Sequence, residues 1–282
     1  MNLRIGLIIA RSKLEAFGIA GDVEAFLNTA GVTVVSETEM LGGASADVLV
    51  TLGGDGLIMR MAHVFPGVPI LGINVGKVGF LARIERDDWH RALGELVAGN
   101  YKIQDGSTLS ATLIRDGMSA DPSLAINDVV IRSRMQMVDV ELYIDQQFVN
   151  TYPGDGMIVA TPQGSTAYCM AAGGPVLDFG VRGFAVTPIC AHSPIRTTLV
   201  VREDALFELV MANDHEADLI IDGMPTTDLR HGDLVRVRKG EQNFHLVVLG
   251  GMNFYEAFRS KFNFRIRPNA IPTRPGLGMP EA

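Results

Sequence analysis

The stretch Val48-Leu49-Val50-Thr51-Leu52-Gly53-Gly54-Asp55-Gly56 decides how the rest of the chain is read. Five apolar or β-branched residues in a row make a strand buried on both faces, as in a parallel sheet. Glycines break the run, and Gly56 to Val64 then has the apolar spacing of a helix. Strand, glycine turn and helix form the first half of a β-α-β unit. In a doubly wound sheet that turn lies at the carboxyl ends of the strands, where ligands bind.

The same alternation extends to both sides. Arg4 to Ala10 reads as a buried strand, and Asp22 to Ala30 places Val23, Phe26, Leu27 and Ala30 on one helical face before Gly31 as C-cap. Val32–Val35 and Pro69–Ile73 are further strands, and Asp87-Asp88 cap a helix carrying Trp89, Leu93, Leu96 and Val97. Residues 1–100 are therefore expected to form an α/β domain on a parallel, doubly wound sheet. Past Asn100 the texture changes. Strand-like runs fill 107–115, 124–132, 138–145, 155–161, 184–190, 205–211, 218–222, 233–238 and 243–249, and only Ser165 to Ala172 suggests a helix. A mostly β second domain over 101–249 follows, with residues 250–282 expected to dock back on the first. In that tail a helix over 253–262 would align Phe254, Phe258 and Phe262 as packing residues.

Composition narrows the function. The chain has 282 residues, 47% hydrophobic and 20% charged, with a formal net charge of −8. That balance is globular, and its sign argues against a nucleic-acid partner. Small phosphorylated ligands stay open, because local amide dipoles and one or two cations hold them. Cys169 and Cys190, the only cysteines, have no metal-ligand spacing and read as reduced thiols. No apolar run approaches the ~20 residues of a membrane span. A cytoplasmic protein without a membrane partner is expected.

Four clusters carry chemistry. In Gly53-Gly54-Asp55-Gly56 the glycines let amides turn towards an anion at a helix N-terminus. An acid placed there makes sense if it takes a proton from an attacking hydroxyl or helps place Mg²⁺. Asp-Gly is also a common turn pair, recurring at 105–106, 116–117, 155–156 and 222–223. The strand-loop-helix context sets 53–56 apart. Neither a Walker A loop nor G-x-G-x-x-G is present. Gly72 to Leu81, with an exposed-looking Phe80, suggests a second loop on the same crevice or merely a tight turn. Asn127-Asp128 interrupts an apolar strand run, the kind of local violation found at functional sites or satisfied bulges. Asp155 to Tyr168 ends a strand at Thr161-Pro162, turns at Gly164 and opens a helix through Ser165-Thr166. Its hydroxyls and ring suit a nucleobase.

In this order and spacing, the Gly-Gly-Asp-Gly loop, the Asn-Asp pair and the Thr161-Pro-Gln-Gly-Ser-Thr-Ala-Tyr168 run resemble the ATP- or polyphosphate-dependent NAD kinase family. Gly173-Gly174-Pro175, Thr187-Pro188-Ile189, Asp222-Gly223 and Gly232-Asp233 continue the resemblance. It implies a Rossmann-like N-terminal domain, a β-rich C-terminal domain and NAD between them in a homodimer or homotetramer. It further implies that Asp55 activates the ribose 2′-hydroxyl, with Gly53, Gly54, Gly56 and Phe80 lining the pocket. Asn127 and Asp128 would hold ribose hydroxyls, Thr166, Ala167 and Tyr168 the adenine, and Asp155 the nicotinamide half across a subunit interface. Mg²⁺ or another divalent cation would arrive with ATP, and polyphosphate is an alternative donor. No protein metal site is implied. Position 128 is Asp where many members have Glu, and Ala191–Arg196 departs from the family pattern. Arg259, Lys261, Arg265 and Arg267 read as a solvated face. A lipid kinase sharing the glycine loop and a silent NAD(P)-sensing module are the competing readings. As a general base, Asp55 should be replaceable by Asn without loss of stability.

Overall fold

The computed structural model describes residues 3–11, 13–76, 79–250 and residue 258. The expected helix over 253–262 (Phe258 apart), the docking tail and its basic residues lie outside the described residues.

The first sheet runs Thr33–Ser36, Arg4–Ile9, Val48–Gly53, Ile70–Asn74, Phe244–Leu249, Tyr101–Gly106, with Ile84–Glu85 paired beside Ile70–Asn74. The first four strands are mutually parallel. Parallel neighbours need crossovers, and the helices Leu14–Thr29 and Asp55–Val64 supply them. Ala16, Val23 and Leu27 of the first helix pack with Leu93 and Leu96 of helix Trp89–Val97 on one face. Ile58 and Met61 of helix Asp55–Val64 pack with Met40 on the other. Helices thus cover both faces of a sheet whose central strand carries the glycine loop at its carboxyl end.

Two strands belong elsewhere than the pattern suggests. Tyr101–Gly106 and Phe244–Leu249, expected beyond the first domain, pair with each other antiparallel, and Leu246 pairs with Ile70 in the first sheet. Alternating apolar residues fit any sheet, so the pattern marks a strand without naming its neighbour.

The rest is a sandwich. One six-stranded antiparallel sheet runs Leu199–Arg202, Gly183–Ile189, Gly156–Ala160, Asp128–Ser133, Ala217–Ile221, Met224–Leu229. The facing sheet runs Gln147–Gly154, Val138–Ile144, Phe207–Met211, Leu234–Lys239, Leu109–Arg115, Met118–Ser119, with Ser123–Ala125 paired to Leu109–Arg115. Between them Leu109, Val140, Tyr152, Phe184, Phe207 and Leu209 form the core. Each such side chain, fully buried, contributes roughly 1.5–3 kcal/mol. Three hairpins turn on residues with positive φ, at Asp116-Gly117, Asp145-Gln146 and Asp222-Gly223. Two-residue turns with both φ positive match the right-handed twist of the flanking strands.

The predicted run 124–132 is split. Ser123–Ala125 lies in one sheet and Asp128–Ser133 in the other, so Ile126-Asn127 is the corner where the chain changes sheets. The helix expected over Ser165–Ala172 is a 3₁₀ turn, Gly164–Thr166, followed by one α turn, Tyr168–Ala171.

Candidate active site

Asp55 opens helix Asp55–Val64, and its carboxylate is turned onto the neighbouring loop. The amides of Phe80, Leu81 and Ala82 donate to it at 2.7, 3.1 and 2.9 Å. A Cβ placed on Gly79 would come within 1.7 Å of Asp55 Oδ1, so only glycine permits this approach. The loop from Gly72 therefore borders the glycine loop because Asp55 ties it there. Phe80, expected to be exposed, is buried at 8%. The tether also changes what Asp55→Asn does to stability. An amide nitrogen set against the Phe80 N–H is a donor facing a donor, so with this geometry Asp55→Asn is expected to cost stability. Sequence reasoning missed Arg83, which donates to the Phe80 carbonyl at 2.9 Å. Burial pulls its guanidinium below the usual range, while the charges of Asp178 and Asp55 oppose that.

Asn127 sits at the corner between the sheets, and Asp128 opens strand Asp128–Ser133 beside it, paired with Ala160. The Asp222 carboxylate collects the amides. Oδ2 accepts from Ile126 at 2.7 Å, and Oδ1 from Asn127 at 2.7 Å and Asp128 at 3.0 Å. The Thr161–Thr166 segment grips the corner from the opposite side. Thr161 Oγ1 donates to Ile126 O at 2.7 Å, and Gln163 Nε2 donates to the same carbonyl at 2.8 Å. The side-chain oxygen of Asn127 is buried and accepts no hydrogen bond from a described residue. A buried acceptor without a donor is costly unless a ligand supplies one.

Asp128 is 3% exposed. Burial, and secondarily the charge of Asp222, push its carboxyl up to about 7. Near neutrality it can therefore donate as well as accept. With the folded pKa raised, its contribution to stability is complete below its ordinary pKa near 4 and is lost as pH rises through about 7. Asp128→Asn removes the titration. Between about pH 4 and 8 the wild type should lose on the order of 2–4 kcal/mol relative to that variant. Denaturant midpoints of both proteins at the two pH values check this, and parallel curves contradict it.

A cavity of about 820 Å³ joins these features, walled by Asp55, Gly56 and His63 on one side and Asn127, Asp222 and Thr226 on the other. A second, of about 690 Å³, lies along Arg11, Lys13, Gly54 and Arg60. Tyr168 lies apart from the first cavity, under the Arg132 guanidinium at 5.6 Å. Thr166 is half-buried and donates to Gln163 O, and Ala167 is exposed. Asp155 is exposed at the far end of strand Gly156–Ala160. Six residue steps along this extended strand, roughly 20 Å, separate it from Thr161. Within one chain the structure brings Asp55, Gly56, Asn127 and the missed His63 and Asp222 to one cavity, and leaves Asp155 outside it.

A glycine loop at the carboxyl edge of a parallel sheet, facing an amide–carboxyl corner across a cavity, defines a phosphoryl-transfer protein that binds a nucleotide. Family profiles make this specific. Residues 36–101 match the ATP-NAD kinase N-terminal domain, and residues 126–249 match the ATP-NAD kinase C-terminal domain. An NAD kinase of Thermomicrobium roseum is 58% identical over 275 residues, spanning 97% of this chain and 96% of that protein. One of Aromatoleum aromaticum is 37% identical, spanning 88% and 83%. Among solved structures, yeast NADH kinase complexed with NADH shares the fold, with a TM-score of 0.85 at 21% identity over 97% of this chain and 90% of that one. An Archaeoglobus fulgidus NAD kinase in complex with ATP superposes with a TM-score of 0.74 at 26% identity, covering 93% and 98%. The chain belongs to the NAD kinase family.

Proposed function

We propose that the chain transfers the γ-phosphoryl group of ATP to the 2′-hydroxyl of the adenosine ribose of NAD, giving NADP. The observation that carries this is the corner itself. Asn127, on the wall of the cavity that Asp55 also lines, offers a buried, unsatisfied oxygen, and Asp128 next to it, buried behind that wall, has a carboxyl pushed up to about 7. Together they suit vicinal hydroxyls that both donate and accept. A carboxylate has about four acceptor sites. Three amides use three of those on Asp55, which leaves one for the 2′-hydroxyl whose proton it takes. Gly53, Gly54 and Gly56 turn amides to the donor's phosphates, in the manner of a Rossmann-like nucleotide site. That unit, in this reading, takes in Tyr101–Gly106 and Phe244–Leu249 as well as the first hundred residues.

Among the described residues no three His, Cys, Asp or Glu side chains converge to hold an ion. In this reading the divalent cation arrives with the triphosphate, and Asp55 is the acid within the phosphate loop. The cation supplies charge neutralisation on the transferring group. Thr166, Ala167 and Tyr168 receive the adenine. Asp155, distant within one chain, serves the nicotinamide half of a site on a second copy, in a homodimer or homotetramer. The reaction belongs to the cytoplasm in this reading. No helix among the described residues is long and apolar enough to cross a membrane. The test is NADP formation from NAD and ATP, followed with an NADP-specific dehydrogenase. Activity should appear with Mg²⁺ and vanish after EDTA treatment. Full turnover in EDTA contradicts the cation's role.

A further inference from the structure

One contact spans the cavity and has no part in the chemistry above. His63 Nε2 lies 2.7 Å from Asp222 Oδ2. The acceptor already takes the Ile126 amide, and its twin oxygen takes those of Asn127 and Asp128. The three amides leave the carboxylate one further acceptor site, which the N–H of the His63 ring fills. The Asp222 side chain is only 6% exposed and that of His63 34%. Asp222 also holds a left-handed backbone, φ 49°, at the hairpin turn that delivers the carboxylate to the corner.

His63 stands in the last turn of the helix that Asp55 begins. Eight residues of helix, about 12 Å, fix one to the other. Among the described residues, the His63 bond is the one side-chain hydrogen bond between this helix and the β-rich part of the chain. A rigid path results: Asp55, the helix, His63, Asp222, and the amides of Asn127 and Asp128.

We propose that His63 and Asp222 form a latch that sets the distance between Asp55 and the ribose-holding corner, with His63 a positioning residue for NAD. This rests on the NAD-phosphorylating reading above. The latch touches neither transferred group. Cutting it lets the helix shift against the corner, and misplacement of about 1 Å can cost roughly 100-fold in rate. The donor's phosphates are held by the same helix's N-terminus and move with it, so ATP recognition should be spared.

The experiment compares His63→Leu, which removes the donor, with His63→Gln, which keeps an N–H for Asp222. The Leu variant should lose roughly 10- to 100-fold in kcat/KM for NAD, with KM for ATP nearly unchanged, and the Gln variant should recover most of the loss. A contact that serves stability alone would lower the melting temperature without splitting the two substrates. The latch is overturned if His63→Leu matches wild type, if both variants fail equally, or if the KM values for ATP and NAD rise together. A wild-type chain that makes no NADP overturns instead the reading beneath it.

Discussion

Asp55→Asn is expected to lower kcat by roughly 10²- to 10⁴-fold, the usual range for losing a general base. KM for NAD should move little, because the lost interaction belongs to the transition state. The same substitution should also lower the melting temperature. The side-chain nitrogen of Asn would face the Phe80 amide, which now donates at 2.7 Å. An unsatisfied buried donor costs about 1–3 kcal/mol. Calorimetric titration with NAD separates the two effects. A folded variant that binds NAD and keeps more than about a tenth of normal turnover contradicts Asp55 as base. A variant of unchanged melting temperature contradicts the tether.

The second large effect is expected at Gly164. A Cβ there would lie 2.0 Å from Asn127 O and 2.5 Å from Asn127 Cα. Those are backbone atoms, so no rotamer change relieves the clash. Gly164→Ala must push the Thr161–Thr166 segment off the corner and break the bonds from Thr161 and Gln163. Overpacking against backbone should cost upwards of about 3 kcal/mol. In a chain of this size that is roughly 6–12 °C of melting temperature. NAD affinity should fall with it, since the displaced carbonyl belongs to Asn127. A melting temperature within about 2 °C of wild type would mean that the segment does not grip the corner.

The α/β part was legible because its signals are local. Fully apolar strands, a glycine turn and helical spacing each act over a few residues, and the glycine loop fell where they placed it. Short elements escaped. Helix Glu37–Leu41 is only 5 residues long, yet Ser36 and Glu39 form a capping box that a closer reading would have caught. Strand Gln147–Gly154 follows the Asp145-Gln146 turn, but its apolar Phe148 and Val149 are adjacent and exposed, so no inward–outward alternation marks it. Sheet membership of Phe244–Leu249 was out of reach. It depends on pairing with Ile70 on one side and Tyr101–Gly106 on the other, both far away along the chain.

In the site, Asp55, Gly56 and Asn127 were legible from motif and context. What they touch was not. That Asp55 binds the amides of residues 80–82, and that Asp222 binds those of 126–128, follows from tertiary approach. Asp222-Gly223 was visible as a turn pair, and turn chemistry alone accounted for it. Its carboxylate gained a second task only when the corner between the sheets came within reach. Gly79 shows the same limit. A glycine required by close approach is indistinguishable in sequence from one required by a turn.

Direct transfer of a phosphoryl group to one hydroxyl of NAD is what every residue role above depends on. The measurement that tests it most directly uses ATP labelled in the γ-phosphate, unlabelled NAD and Mg²⁺ with the full chain. The product is then analysed for the position of the label. One labelled phosphate per NADP formed is expected, carried on the 2′-oxygen of the adenosine ribose and formed roughly 10²- to 10⁴-fold more slowly by Asp55→Asn. Label released as orthophosphate regardless of NAD, or attached to any other hydroxyl, would contradict direct transfer.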